Sequence, residues 1–166
     1  AIGPLGALWS ERSINLSHAY VLKAQLEQLG ATVVLTRTGD TPLSLEARLA
    51  MSRKLRPDLF ISLHADSLDD TADISKVSGF SVWYREPLAA DIGGRVLRNV
   101  VDNLGVRDRR LNQRNFYVVR GTWTPSILFE AGFVPNITEF SQMLDPVRQN
   151  RMMGLIAGAV VEYFAP

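Results

Sequence analysis

The chain has 166 residues, a net charge of +1 and no cysteine. This length suits one domain with a full core, and the hydrophobic fraction of 46% is that of an ordinary globular protein rather than a disordered or membrane-spanning one. The near balance of charges argues against nucleic acid as a partner. Without cysteine, disulfides and thiolate metal sites are excluded, so histidine and carboxylate side chains are the remaining candidates for binding zinc.

The first half of the chain predicts helices and strands in alternation. Ser10 and Ser13 can cap a helix that runs to about Leu29 and stops at Gly30. Residues 31–37 predict a β-branched strand, residues 44–56 a helix that ends before Pro57, and residues 58–64 a buried strand. The polar stretch 66–78 predicts a loop.

The second half repeats this alternation and sets the fold class. Strands are predicted at 79–84, 116–119 and 126–130, and helices at 88–104, closed by Gly105, and 146–164. Alternating elements favour an α/β fold with three αβα layers, in which helices flank a mostly parallel twisted sheet. Because the chain contains no repeat, linker or low-complexity segment, residues 1–166 are predicted to form a single domain.

Glu130 is the most informative residue of the chain. The apolar run 126–129 reads as a buried strand that ends on this carboxylate, and Gly132 is expected to stop the strand just beyond it. In open α/β sheets, ligands bind at the carboxyl edge of the strands. Glu130 is therefore either a functional carboxylate or a solvated residue at a strand end.

His64 and Glu11 have comparable settings. His64 ends the apolar run 58–63, although a lone histidine at a strand end is more often structural than a ligand. Glu11 lies in the first turn of the first predicted helix, where an acidic residue complements the helix dipole. Taken one at a time, these residues leave both interpretations open.

Together, three segments resemble the zinc-dependent N-acetylmuramoyl-L-alanine amidases of bacterial cell-wall turnover, the amidase type 3 family. They are residues 10–16 with Glu11, residues 59–66 with His64, and residues 125–133 with Glu130, followed by Asn136, and they occur in the family's order. The resemblance implies that Glu11 and His64 bind Zn²⁺. It also implies that Glu130 is the catalytic general base and acid.

The chain departs from the family pattern at its beginning. The family's first zinc ligand is a histidine at the end of a first strand, and this chain opens at the segment that follows that motif. The resemblance therefore implies an N-terminally incomplete amidase catalytic domain whose third zinc ligand is an upstream histidine. We expect this chain alone to be metal-poor and inactive, or to complete itself with a neighbouring copy. In addition, Asp66 replaces the family's usual asparagine, which can alter hydrogen bonding around His64.

The implied reaction is hydrolysis of the amide bond between N-acetylmuramic acid and the L-alanine of the stem peptide. The implied partner is peptidoglycan, with no nucleic acid and no membrane span, and the implied location is extracytoplasmic: periplasm, cell wall or secreted. An activator or a wall-binding domain in the parent protein is a further expectation, whereas substrate-binding residues are not predicted. About fifty residues separate His64 from the strand at 116, which leaves little room for a blocking helix and favours an open groove.

Three other functions remain open. They are a carboxypeptidase-like zinc peptidase, a non-catalytic cell-wall-binding domain, and a structural or interaction protein. A general base such as Glu130 argues against a pure binding module.

Several further residues favour structural interpretations. His18 lies on the apolar stripe of the first helix, which favours a partly buried structural histidine over a metal ligand. Trp9 and Trp123 suit packing at the core or its rim, with a sugar- or peptide-binding groove as the alternative. Arg109 and Arg110 suit a solvated face, with a contact to the acidic stem peptide as the alternative.

Overall fold

A computed structural model of the chain describes residues 10–67 and 77–166. The helices of this part are α1 (Glu11–Gln28), α2 (Leu45–Leu55), α3 (Ala90–Leu104), α4 (Ile137–Leu144) and α5 (Pro146–Phe164). The strands are β1 (Phe60–Asp66), β2 (Phe80–Tyr84), β3 (Asp108–Gln113) and β4 (Ser126–Phe133), and short 3₁₀ turns span Pro87–Ala89 and Tyr117–Val119. None of these helices is long and apolar enough to cross a membrane.

The described strands form one mixed sheet in the order β1-β4-β2-β3. The β1–β4 and β2–β3 pairs are parallel and the β2–β4 pair is antiparallel, so the sheet is mostly parallel as predicted. Because β1 and β4 run in the same direction, their carboxyl ends meet at one edge. Their register places His64 directly beside Glu130.

Side chains alternate between the two faces of this sheet. On the core face, Val82, Ile127 and Phe129 pack in the main hydrophobic cluster with buried residues of α1, α3 and α5. On the opposite face, called here the site face, Leu128 packs with Val118 and other residues of a smaller cluster. Helix α2 contacts the 3₁₀ turn that carries Val118, which gives the fold its third layer and confirms the predicted αβα architecture.

The prediction of a strand at residues 31–37 is wrong. Val34 is 59% exposed, and the segment pairs with no strand of the described part of the chain. Side chains hold it instead: Lys23 donates to the Val33 carbonyl and Arg48 donates to the Thr36 hydroxyl. β-Branched residues suit a strand only where a neighbouring backbone completes the ladder, and the described residues provide none here.

Three further elements differ from the prediction. Residues 117–119 form a 3₁₀ turn rather than a strand, with Val118 and Val119 buried against Leu128. Strand β3 was not predicted because its sequence is polar, as suits an edge strand whose side chains are largely in contact with solvent. The short helix α4 was also missed. Its signal is Asn136, whose side chain caps the Glu139 amide.

Gly132 does not end β4 as predicted, because it forms a β-bulge. The register passes from His64–Glu130 to Asp66–Phe133, so that Ala131 and Gly132 together oppose one residue of β1. Gly132 has φ +149°, and a Cβ on it would lie 3.1 Å from the Glu139 carboxylate. After the bulge, Phe133 lies on the same face as Asp66 and His64.

Candidate active site

Three elements bring the predicted site residues together. Ser10 and Ser13 form the predicted cap of α1, each hydroxyl accepting the other residue's backbone N–H, and this fixes Glu11 in the first turn. Strand β1 carries His64 and strand β4 carries Glu130 on the same face. The neighbouring antiparallel strand β2 places Ser81 beside Glu130.

Glu11 and His64 are in direct contact. Glu11 Oε1 lies 3.1 Å from His64 Nδ1, and the Asn15 amide donates to the same oxygen at 3.2 Å. Burial alone would raise the pKa of Glu11, but the hydrogen bond and charge of His64, with the Asn15 amide, outweigh it and lower the pKa. Glu11 is therefore an anion directed at the imidazole. Asn15 lies four residues after Glu11, on the same side of the helix, a spacing that could have identified it.

The other ring nitrogen of His64 contacts Ser62. Ser62 Oγ lies 3.1 Å from His64 Nε2, and Ser62 is buried. Sequence reasoning missed this residue, although strand alternation places residue 62 on the same face as residue 64. The imidazole is thus held at both nitrogens.

Glu130 is a half-buried residue with a desolvated carboxyl group near other acidic side chains. Burial, followed by the nearby charges of Asp66 and Glu11, raises its pKa to about 8. Its Oε2 atom is buried and has no hydrogen-bond partner within residues 10–67 and 77–166. A carboxyl group whose pKa lies near neutrality can both accept and return a proton, which is the requirement for a general base that later acts as an acid.

Asp66 belongs to the same charged cluster. The pKa of Asp66 is raised overall, mainly by burial and to a lesser extent by the charge of Glu11. The hydrogen bond from the Ser67 amide and the charge of Arg109 oppose this shift. Asp66 influences the site through its charge on Glu130. Three acidic side chains, Glu11, Asp66 and Glu130, therefore lie near one imidazole at this edge of the sheet, and a bound cation would stabilise their charged forms.

The donor set fits part of a zinc site. Glu11 Oε1 and His64 Nδ1 are 3.1 Å apart, close to the roughly 3.3 Å that separates two tetrahedral ligands bound at about 2.0 Å. Within residues 10–67 and 77–166, no group of three His, Cys, Asp or Glu side chains is disposed to hold a metal ion. Glu11 and His64 could therefore hold a metal ion only together with a further ligand from outside the described residues.

The rim of the site contains aromatic and basic side chains. The Arg109 guanidinium lies 4.8 Å from the centre of the Phe133 ring, so Arg109 is half-buried. The predicted solvated face applies only to Arg110, which is exposed and has φ 72°. Trp123 lies away from the site, before the amino end of β4, where its indole N–H donates to Ser52 of α2, in agreement with packing at the rim of the core. Trp9 and most of the predicted loop 66–78 lie outside the described residues.

His18 has the predicted structural role. It is 1% exposed and its Nε2 lies 3.3 Å from the Met143 carbonyl oxygen. Burial lowers its pKa to about 4, so it is a neutral core residue at ordinary pH. It makes no contact with Glu11 or His64 and takes no part in the site.

A mostly parallel sheet with carboxyl and imidazole groups converging at one strand edge is the arrangement of an α/β enzyme domain. Comparison with known families makes the assignment specific. The family model described as N-acetylmuramoyl-L-alanine amidase matches residues 1–162. The chain belongs to this family.

Individual relatives agree with the family assignment. N-acetylmuramoyl-L-alanine amidase LytC of Bacillus subtilis (strain 168) is 28% identical over 162 residues, which cover 98% of this chain and 33% of LytC. The probable cell wall amidase LytH of Staphylococcus aureus is 31% identical over 160 residues, which cover 93% of this chain and 50% of LytH. The chain therefore spans a third to a half of these two curated relatives.

A solved structure supports the fold at the level of coordinates. The catalytic domain of CwlV, an N-acetylmuramoyl-L-alanine amidase from Bacillus (Paenibacillus) polymyxa var. colistinus, superposes with a TM-score of 0.88 at 30% identity. The match covers 98% of this chain and 89% of that domain. The whole described fold therefore corresponds to an amidase catalytic domain.

Proposed function

We propose that the chain is the catalytic domain of a peptidoglycan hydrolase that cleaves the amide bond between N-acetylmuramic acid and the L-alanine of the stem peptide. The observation that carries this proposal is the convergence of Glu11, His64 and Glu130 on one face of the sheet in a member of the amidase family. Because its relatives include a probable cell wall amidase, we propose that it acts outside the cytoplasm, in the periplasm, in the cell wall or as a secreted enzyme.

We assign Glu11 and His64 as zinc ligands. The separation of their donor atoms and the surrounding negative charge support this assignment. The remaining ligand is proposed to come from outside the described residues. When bound, zinc supplies Lewis-acid activation of a water molecule and of the amide carbonyl.

Glu130 is proposed to move the proton that amide hydrolysis requires. As the water oxygen bonds to the carbonyl carbon, Glu130 accepts a proton from that water. As the C–N bond breaks, Glu130 returns the proton to the leaving nitrogen, so that a free amino group departs. Its unpartnered Oε2 and the desolvation that raises its pKa above that of an ordinary carboxyl group, and so makes it a stronger base, support this role.

The test is Glu130→Gln in the protein expressed from its complete reading frame. Glutamine keeps the size of the side chain but cannot titrate, so cleavage of purified peptidoglycan should fall by roughly 10²–10⁴-fold while the zinc content is unchanged. The matched control is Glu46→Gln, an exposed carboxylate in the first turn of α2, which should keep full activity. An active Glu130→Gln enzyme would exclude Glu130 as the general base.

The products of the same reaction separate this function from other peptidases. Muramoyl-amide cleavage releases stem peptides that begin with a free L-alanine amino group, whereas a carboxypeptidase shortens peptides from the other end. Cleavage of free peptides in preference to intact muramoyl-peptides would support the carboxypeptidase-like alternative. Binding of the wall without any product would support a binding domain.

The metal assignment has its own test. Elemental analysis of the protein from the complete reading frame should find close to one zinc per chain. Chelation should abolish hydrolysis and added zinc should restore it. Undiminished hydrolysis by verified metal-free protein would contradict the zinc assignment.

A further inference from the structure

We propose that Ser62 is a positioning residue for His64, whose hydroxyl holds the Nε2 nitrogen and thereby presents Nδ1 to Glu11. The contact is direct, with Ser62 Oγ 3.1 Å from His64 Nε2. The meaning of this arrangement for metal binding rests on the proposed function. The contact itself and its effect on the imidazole do not depend on any metal.

The position of Ser62 in β1 keeps its side chain next to His64. Ser62 is paired in register with Leu128 of the neighbouring strand β4 and is 8% exposed. Strand alternation places its side chain on the same face as His64. The imidazole therefore bridges two rigid elements, because strand β1 holds Nε2 and helix α1, through Glu11, holds Nδ1.

The chemistry of the two contacts fixes the position of the ring proton. An ionised carboxylate is only an acceptor, so the contact with Glu11 requires the proton on Nδ1. When the ring is neutral, Nε2 is then an acceptor, and the Ser62 hydroxyl donates to it. The metal-free protein should therefore hold His64 as the Nδ1–H tautomer.

A hydroxyl group can also serve the opposite tautomer. If a cation takes the Nδ1 lone pair, the ring proton moves from Nδ1 to Nε2 and His64 stays neutral. The Ser62 hydroxyl then rotates and accepts from Nε2–H. A carboxylate or a backbone carbonyl at this position would be only an acceptor, whereas serine satisfies Nε2 in both states. A partner that orients a ligand in this way typically changes metal affinity by about 10–100-fold when it is removed.

The site face contains a second buried serine that makes no contact with the imidazole. Ser81 is 2% exposed, and its hydroxyl accepts from the Trp83 indole N–H at 2.9 Å. Removing its hydroxyl costs a buried hydrogen bond of similar kind but leaves His64 untouched. Ser81→Ala is therefore the matched control for Ser62→Ala.

Nitrogen-15 NMR of the histidine rings in the metal-free 166-residue chain tests the proposal directly. The chain holds only two histidines, and the buried His18 reports whether each variant is folded. At a pH where both rings are neutral, His64 should be Nδ1–H in the wild-type chain and in Ser81→Ala. Ser62→Ala should keep this tautomer, which Glu11 sets, but should shift the His64 Nε2 resonance to that of an acceptor without a hydrogen bond, and Ser62→Thr, which keeps a hydroxyl, should restore the wild-type shift. An unchanged His64 pattern in a folded Ser62→Ala chain overturns the proposal.

Zinc affinity of the protein from the complete reading frame gives the second measurement. Competition with a chelating dye should show roughly 10–100-fold weaker zinc binding by Ser62→Ala, and recovery in Ser62→Thr. Equal zinc affinity in wild type and Ser62→Ala overturns the role of Ser62 and leaves the proposed function standing. If the wild-type protein binds no zinc, the metal assignment fails, and the nitrogen-15 shift of His64 Nε2 alone decides the role of Ser62.

Discussion

The two faces of the sheet are built from the same strands but have opposite properties. On the core face, Phe129 and Ile127 are fully buried between helices in continuous apolar contact. One residue further along β4, the site face carries Glu130 with an unpartnered carboxylate oxygen. Because successive side chains of β4 point to opposite faces of the sheet, apolar residues that stabilise the fold alternate with the acidic residue of the site, whose burial costs free energy.

The difference also appears in the two strongly shifted titratable groups. Glu130 on the site face has a pKa raised to about 8, and His18, buried behind the core face, has a pKa lowered to about 4. Burial is the main cause in both cases, because it disfavours the charged form. Since one group becomes charged by losing a proton and the other by gaining one, the two should respond to pH in opposite directions.

The largest expected effect is on the core face. Phe129→Ala should lower the free energy of unfolding by about 3–5 kcal/mol, because a fully buried ring is removed and the packed helices cannot close the cavity. Leu128→Ala, the adjacent residue in the smaller site-face cluster, should cost about 2–3 kcal/mol. Urea denaturation of both variants provides the comparison. A larger loss for Leu128→Ala would contradict the assignment of the main core to the helix-covered side.

The second prediction concerns Glu130 in the metal-free chain. Its folded pKa is raised from 4.5 to about 8, so the folded state binds the proton more tightly and stability falls as pH rises through this window. The loss should reach up to about 4 kcal/mol at pH 9 relative to pH 4.5. Glu130→Gln should remove this slope, while the exposed control Glu46→Gln should keep it. Parallel pH profiles for wild type and Glu130→Gln in urea denaturation would show that Glu130 is not desolvated.

The third prediction concerns His18, with the opposite sign. Its folded pKa is lowered from 6.5 to about 4, so the unfolded state binds the proton more tightly. Its contribution is fully present above pH 6.5 and is lost as pH falls toward 4, by up to about 3 kcal/mol. Denaturation of His18→Gln between pH 4 and pH 7 should show this part of the acid dependence removed. An identical acid slope in the variant would assign the acid dependence to other groups.

The smallest effects test how closely the core face is packed. A Cβ on Gly93 would lie 2.9 Å from Leu111 Cδ1 and 3.4 Å from Val82 Cγ1. A Cβ on Gly94 would meet the flexible end of Arg98 at 3.2 Å and Leu111 Cδ2 at an ordinary contact distance of 3.8 Å. Gly93→Ala should therefore destabilise the chain by roughly 1 kcal/mol, and Gly94→Ala should stabilise it by about 0.5–1 kcal/mol through helix propensity. Melting temperatures of the two variants test this prediction. Stabilisation by both substitutions would show that the core face has room for a methyl group at Gly93.

Local signals in the sequence predicted much of the fold. Caps and breakers located α1, α2, α3 and α5, and the apolar runs located β1 and β4, because these elements are determined by neighbouring residues. The carboxyl edge shared by the strands predicted that His64 and Glu130 lie together, whereas the resemblance to the amidase family predicted that Glu11 joins them. Their assignment as zinc ligands and general base stays a prediction that the experiments above address.

The features that sequence reasoning missed depend on contacts distant along the chain. Strand β3 is polar and exists because β2 offers it a backbone partner. Residues 31–37 have the composition of a strand but lack such a partner among the described residues. The pKa of Glu130 depends on Asp66 and Glu11, which lie more than sixty residues away along the chain. None of these contacts leaves a local pattern.

The bulge at Gly132 makes the length of this segment as important as its composition. By simple alternation Phe133 would point into the helices and Val134 away from them, yet Val134 lies in the main core and Phe133 supports Arg109. A natural variant or a designed loop that removes a single residue here would turn the side chains of the following residues to the opposite faces of the sheet. Substitutions should therefore be tolerated in this stretch far more readily than insertions or deletions, in the laboratory and in evolution alike.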